Sequence, residues 1–406
     1  MSHATCFLQL ARNRDCVETG MTSRDWRVDS LRGYFLVLMT LAHLPPHPLQ
    51  PFFSYTFGYA SAPDGFVFLS GLVSTWVYLR FRDKHGQRAL EARVIRRTRD
   101  VYAVHMLLLG ASILGAVLLK QNSFQAAHPL QALFSGSLLM YQPGFSDILP
   151  MYCVFLLFTP VVLEQLMKGR AWLIGVISAV LWAAAQWGIG DASHLVPWIN
   201  LGTFNILAWQ AYFVAGQYFA YRGLNSEEGA VPKSRILLVA CFVLALFFFL
   251  DRHRQFLFGV APLLKFSMGP SRNPARFLDA VCLGYVIWWL PRSIDLRLMR
   301  LRLFQFFNLL GRHSLQVFAV SLFITAVLSK LRHDWVSLPG PARIVLALLV
   351  VFSLAIPARL HEIYRTGFKF TAPAGERGMW SFRRGGVISS ERTPPLDALS
   401  PRTEIT

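Results

Sequence analysis

Apolar runs recur along this chain between short polar connections. A bilayer core needs about 20 apolar residues in a helix to cross it. About ten runs approach that length: 28–44, 58–79, 100–119, 147–167, 171–190, 203–221, 235–250, 274–291, 304–329 and 342–361. The first is short unless its helix begins near Arg24. The ninth is long and interrupted by Gly311-Arg312-His313-Ser314, which predicts a tilt or a break. Residues 129–142 add a shorter apolar stretch, of the length expected for a re-entrant or interfacial segment. The pattern predicts an all-α fold, a polytopic transmembrane helix bundle of about ten spans.

Basic residues orient the predicted bundle. The second connection carries Arg80, Arg82, Lys84, Arg88, Arg93, Arg96, Arg97 and Arg99, whereas residues 45–57 and 191–202 carry neither Lys nor Arg. The sixth and eighth connections are basic too, with Arg222, Lys233 and Arg235 in one and Arg292, Arg297, Arg300 and Arg302 in the other. Positive connections stay inside, so both termini are expected in the cytoplasm. The seventh connection departs from the rule with Arg252, Arg254, Lys265 and Arg272, which suits either a solvated loop or an acidic ligand.

Composition narrows the class. Of 406 residues, 54% are hydrophobic and only 15% charged, against about a quarter charged in soluble domains. The net charge of +18 raises the question of nucleic acid. The basic residues fall between apolar runs and form no stripe interleaved with stacking aromatics, so no nucleic-acid partner is expected. Membrane lipid is the expected surrounding. Cys6, Cys16, Cys153, Cys241 and Cys282 have no metal-ligand spacing and suggest neither a metal site nor a disulfide frame. Residues 1–26 lack the apolar core of a cleavable signal. They read as a disordered or mis-assigned leader, with Met21 a natural start. Residues 27–369 form the membrane body, and 370–406, rich in Pro, Gly, Ser and Arg, read as a disordered cytoplasmic tail.

Candidate chemistry concentrates at the ends of the runs. Arg32 and His43 are eleven residues apart, about 20° past three full helical circles, so they share one face about 16 Å apart along the axis. Ionisable groups in that setting are read as functional by default. His43 suits a general base taking a proton from an alcohol, or a helix-end cap. Arg32 suits a phosphate or carboxylate clamp, or a headgroup contact, or a pairing with Asp29. Asp64 stands at the outward end of the second run, where a carboxylate can hold the imidazole of His43 in one tautomer; Ser70-Gly71 beyond it allow close helix approach. Asp147 opens the fourth run as a second such carboxylate or as a helix cap. Asn205, Trp209 and Gln210 place polar groups in the sixth run, where they line a cavity or join helices. Arg276 and Asp279 are spaced for a local ion pair, and His313 sits in the interruption of the ninth run. Residues 44–57 and 191–200 combine prolines and aromatics, a texture that suits either sugar stacking or membrane interfaces.

Arg-x10-His preceded by Asp29-Ser-Leu-Arg-Gly resembles the hallmark of the membrane-bound acyltransferase-3 superfamily. With Asp64-Gly-Phe-Val-Phe-Leu-Ser-Gly, Pro143-Gly-Phe-Ser-Asp-Ile-Leu-Pro, Ala208-Trp-Gln and Leu310-Gly-Arg-His-Ser-Leu, it resembles the OpgC family over about residues 27–330. That family is associated with succinylation of osmoregulated periplasmic glucans in proteobacteria. The resemblance implies a multi-pass protein of the bacterial inner membrane, an O-acyltransferase moving an acyl group from cytoplasmic acyl-CoA onto glucan hydroxyls outside. No bound cofactor is implied: acyl-CoA, with succinyl-CoA inherited from the family, is a co-substrate, and glucan-synthesis proteins are partners. His43, with Asp64 or Asp147, takes the catalytic place. The resemblance carries over only His43 and Arg32; from the residues themselves, Arg32 and Asp29 are expected to bind the donor, and Ser70, Trp209, Gln210 and His313 to line the acceptor cavity. The runner-up is a transporter or flippase for glucan or other polyols, in which Arg32, His43 and Asp64 form the path.

Overall fold

The structure is a computed structural model that describes residues 26–54, 56–144, 146–191, 198–226, 231, 233–264, 273–289 and 301–367. Of the expected leader only Trp26 is among these, and it begins the first helix instead; the expected tail lies outside them. The chain divides into two units, Met1–Tyr364 and Arg365–Thr406; of the second, only residues 365–367 are described.

Every apolar run read from the sequence is helical over most of its described length. The first two form α1, Trp26–His43, and α3, Ala62–His85, joined through the short α2, Gln50–Ser54. Then come α4, Gln87–Leu118, the short α5, Phe124–Ala127, and α6, Pro129–Ser137. Next are α7, Ile148–Met167, α8, Ala171–Gln186, α9, Ile206–Asn225, α10, Arg235–Phe258, and α11, Pro274–Trp288. The chain closes through α12, Arg302–Arg312, α13, Ser314–Lys330, α14, Arg332–Ser337, α15, Gly340–Ser353, and α16, Ala355–Gly367. Among the described residues the only pairing of β type is two isolated bridges, Phe57 with Ala60 and Tyr141 with Asn200.

Among the described residues four helices are long and apolar enough by themselves to cross a membrane: Gln87–Leu118, Ile148–Met167, Arg235–Arg254 and the continuous Gly340–Tyr364. The α12–α13 pair makes a fifth if it is one broken span. The other runs fall short for identifiable reasons. Helix α1 has only 18 residues and carries Arg27, Asp29 and Arg32, while α8 and α11 have 16 and 15 residues. The ninth run breaks, as its interruption predicts: α12 and α13 meet at 93° about His313. The stretch from 129 folds back on α4, where Tyr102 donates to the Ser137 carbonyl at 2.8 Å and the His105 imidazole meets the Gly136 carbonyl at 3.0 Å.

One continuous core runs through α1, α3, α7, α9 and α13, around Leu36, Val67, Met151, Trp209, Phe213 and Val317. Large apolar side chains also cover outer faces, most completely on α10, where Ile236 is 85% exposed. Apolar surface on that scale is stable only against lipid or a partner. Two backbone crossings tie the core together. A Cβ on Gly33 would stand 1.9 Å from the Phe307 carbonyl oxygen, and one on Gly311 would stand 1.7 Å from that of Asp29. A Cβ on Gly71 would meet the Phe213 oxygen at 2.1 Å, and one on Gly216 the Phe68 oxygen at 2.1 Å. Only glycine admits these approaches, which lock α1 onto α12 and α3 onto α9.

Candidate functional site

The contacts between helix ends show which residues share an end of the bundle. Leu79, Arg80 and Arg82 at the close of α3, Met167 of α7 and Tyr221 and Asn225 of α9 line one cavity of about 380 Å³. These three helices therefore end together, and they begin together at the opposite end. There stand Asp64, Asp147 and Asn205, with His43 at the close of the antiparallel α1.

Arg32 is held inside the bundle from two sides. Its Nη2 donates to Ser314 Oγ at 2.7 Å, at the first residue beyond the α12–α13 break. Its Cζ lies 5.6 Å from the centre of the Phe66 ring, near cation–π distance. Phe66 in turn stacks on Phe318 at 6.2 Å. Tyr152 closes the group: its hydroxyl donates to the Phe66 carbonyl at 3.3 Å, lies beside Ser70, and is within electrostatic reach of both Arg32 and Arg97. Asp29 is buried at the Gly33–Gly311 crossing one turn below. A guanidinium carries several N–H donors in one plane, the geometry that suits a carboxylate or phosphate.

His43 is half-buried at the last position of α1, bonded to the backbone of Met39 and within electrostatic reach of Asp147. Asp147 does not cap its own helix. One carboxylate oxygen, Oδ2, accepts from the Thr203 amide at 2.7 Å and the Thr203 hydroxyl at 2.9 Å. The other, Oδ1, is buried and accepts no hydrogen bond among the described residues. The 200–204 strand of chain comes this close because Gly202, at φ +77, has no Cβ; one placed there would stand 2.3 Å from Asp147 Cβ.

Asp64 faces elsewhere. Its carboxylate receives Arg276 Nε at 2.9 and 3.0 Å and the Ser61 amide at 2.7 Å, and is 1% exposed. The Arg276 guanidinium also lies 5.0 Å above the Trp209 ring and is hydrogen-bonded to Tyr212. The expected Arg276–Asp279 pair is thus replaced by one across 212 residues. Asp279 instead accepts from the amides of Tyr59 at 2.9 Å and Ala60 at 2.8 Å. Gln210 joins helices: it accepts from Ser178 Oγ at 2.9 Å and donates to the Ser178 carbonyl at 2.8 Å, linking α9 to α8. Asn205 caps α9 and reaches Asp191 at 2.7 Å. His313 Nδ1 lies 2.7 Å from Nδ1 of His361 on the last helix.

The arrangement places an imidazole within electrostatic reach of a carboxylate at one end and a held guanidinium deeper in. A family model described as the OpgC protein matches residues 24–366. The chain belongs to the OpgC family. No curated protein and no solved structure matches it. Membership in the OpgC family supports a glucan-modifying function of the acyltransferase type, and the apolar helices are consistent with a membrane protein. In this OpgC-family chain the matched region takes in Arg32, His43, Asp64, Asp147, Trp209, Gln210 and His313. Thr203, Tyr152, Arg97 and His361 join them in the structure without a signal in their spacing. Arg97 sits within a run of basic residues that reads only as a cytoplasmic connection. The two described cavities lie away from Arg32 and His43; the second, of about 340 Å³, lies between α4 and α7 beside Thr98, Tyr102 and Cys153.

Proposed function

We propose that this chain is an inner-membrane O-acyltransferase that moves an acyl group, succinyl by family association, from cytoplasmic acyl-CoA onto hydroxyls of a periplasmic glucan. The observation that carries the reading is Asp147: one oxygen is anchored by Thr203 and the other stands uncommitted within electrostatic reach of His43. A carboxylate so placed holds an imidazole in one tautomer and stabilises it once protonated.

In the proposed step His43 takes the proton of a glucan hydroxyl as its oxygen attacks the thioester carbonyl. The new C–O ester bond forms, the C–S bond breaks, and the proton passes from His43 to the leaving thiolate. Arg32, steadied by Ser314 and Phe66, holds an anionic part of the donor deeper in the bundle. Asp147 is the orienting carboxylate, and Asp64 serves by clamping Arg276 over Trp209. Ser70 and Tyr152 line the path beside Arg32, while Gln210 and His313 act on helix placement.

The same reading makes the ten helical runs about ten passes, with both termini in the cytoplasm of a bacterial cell. The shorter helices α1, α8 and α11 cross as parts of a bundle whose neighbours shield their polar groups.

The experiment is mass spectrometry of periplasmic glucan from cells carrying wild-type chain, His43→Ala, or none, at matched protein levels. Acyl substitution present only with the wild type supports the reading, and the mass added per substituent identifies the acyl group. Unchanged substitution with His43→Ala overturns it. Glucan trapped inside cells lacking the chain points to export instead.

A further inference from the structure

Midway along α16, His361 forms a pair of imidazoles with His313 that the proposed chemistry does not use. His313 Nδ1 and His361 Nδ1 are 2.7 Å apart, and the rings stand nearly perpendicular at 82°. At that distance one nitrogen carries the hydrogen and the other accepts it. Gln316, one turn into α13, places its amide nitrogen 3.4 Å from His361 Nε2. With that amide donating, His361 accepts at Nε2 and donates from Nδ1 to His313. The last helix is thereby bonded to the bend residue itself and to the first turn of α13. Near the pair on the same elements, Arg312 and Glu362 stand 3.7 Å apart and Arg359 reaches Glu362 at 2.9 Å.

His313 is the hinge residue itself. It ends α12, its carbonyl accepts the first bond of α13 from Val317 at 3.1 Å, and its side chain is buried. Its successor, Ser314, receives the Arg32 guanidinium at 2.7 Å. On the other side of the hinge, Gly311 packs on the Asp29 carbonyl of α1. A turn of the hinge by a few tenths of an ångström acts directly on the Ser314–Arg32 bond.

We propose that His361 is a positioning residue: through its shared hydrogen with His313 it sets the α12–α13 bend, and so the placement of Arg32 for an anionic acyl donor. This rests on the acyl-transfer reading above, with Arg32 as the donor's anchor. It assigns His313 to hinge setting, not to the acceptor cavity.

The test uses the purified full-length chain in detergent, with coenzyme A as the binding probe and acyl transfer to glucan as the activity. His361→Leu removes the bond, whereas His361→Asn keeps an amide near the Nδ1 position and cannot supply a ring. The expected result for His361→Leu is about tenfold weaker coenzyme A binding and a donor KM raised in step, a loss of about 1.4 kcal/mol, with kcat within about twofold. His361→Asn restores most of the binding. A role in stability alone lowers the melting temperature and leaves KM unchanged in the surviving folded chain, which overturns the proposal. So does a loss that falls on kcat with KM unmoved, or equal loss in both variants. Failure of the wild type to bind coenzyme A overturns the donor reading itself and this inference with it. Wild-type binding with an unaffected His361→Leu overturns the inference alone.

Discussion

Asp64 and Asp147 look alike in the sequence, each a lone carboxylate where an apolar run begins, yet their partners give them different work. Asp64 is closed by Arg276 and Ser61 at 1% exposure. Removing one partner of such a buried pair leaves an uncompensated charge, so Asp64→Asn is expected to destabilise the chain by about 3–5 kcal/mol. Denaturant unfolding in detergent measures this, and Asp64→Leu with Arg276→Met recovers much of the loss. Asp147 keeps one oxygen uncommitted near His43. Asp147→Asn retains an acceptor for Thr203 but no charge to support an imidazolium. Expected is a fall in kcat of roughly 10²–10⁴ with the fold intact, read by glucan acylation kinetics. Arg32→Lys is expected to raise donor KM more than it lowers kcat, because an ammonium cannot bond Ser314 and an anion in one plane as a guanidinium does. The existence of these three charged groups was legible from rarity alone. Which carboxylate lies within electrostatic reach of His43 was not, because Thr203 and Arg276 reach them across 56 and 212 residues.

Among the helices, the glycines of the motifs are explained by approach distance. Gly33 with Gly311 and Gly71 with Gly216 bring backbones to where any Cβ collides with a carbonyl oxygen. Gly311→Ala is expected to force α1 from α12, break the Arg32–Ser314 bond and sharply reduce the folded fraction surviving detergent extraction. Gly110→Ala is the control: its Cβ meets nothing within 4 Å inside α4, and the change is expected to stabilise by about 0.5–1 kcal/mol. The break of the ninth run was readable from Gly311-Arg312-His313-Ser314, since polar residues interrupt an apolar run there. Its angle of 93° was not, because the contacts on either side of the bend, Gly311 on α1 and His313 with His361 of α16, come from distant segments. Gln210 shows the same limit. An amide in an apolar helix demands a partner, and only the neighbour α8 decides that the partner is Ser178.

For the whole molecule, the alternation of basic and uncharged connections carries the topology. In a cysteine-free background, Phe52→Cys is expected to react with an impermeant maleimide on spheroplasts, since Phe52 is 48% exposed in the Arg- and Lys-free first connection. Arg88→Cys, also exposed, is expected to react only after permeabilisation. The reverse pattern overturns the proposed orientation. Apolar length by itself accounts for four or five crossings. Of the remaining helices, α8 is apolar but short, whereas α1 and α11 are short and carry buried or half-buried charges such as Asp29 and Asp279, and a linear count of hydropathy registers such helices as too polar or too short.

By itself the sequence determined the helices, because apolar content and run length act within a segment and need no distant partner. It also determined which rare ionisable groups the bundle must accommodate, because their desolvation is costly wherever they are placed. The tertiary structure decided how those groups are divided: Asp64 to Arg276, Asp147 to Thr203 and His43, Arg32 to Ser314, His313 to His361. Each of these contacts joins residues 48 or more positions apart in the chain, so only the packing of distant segments can select the partner.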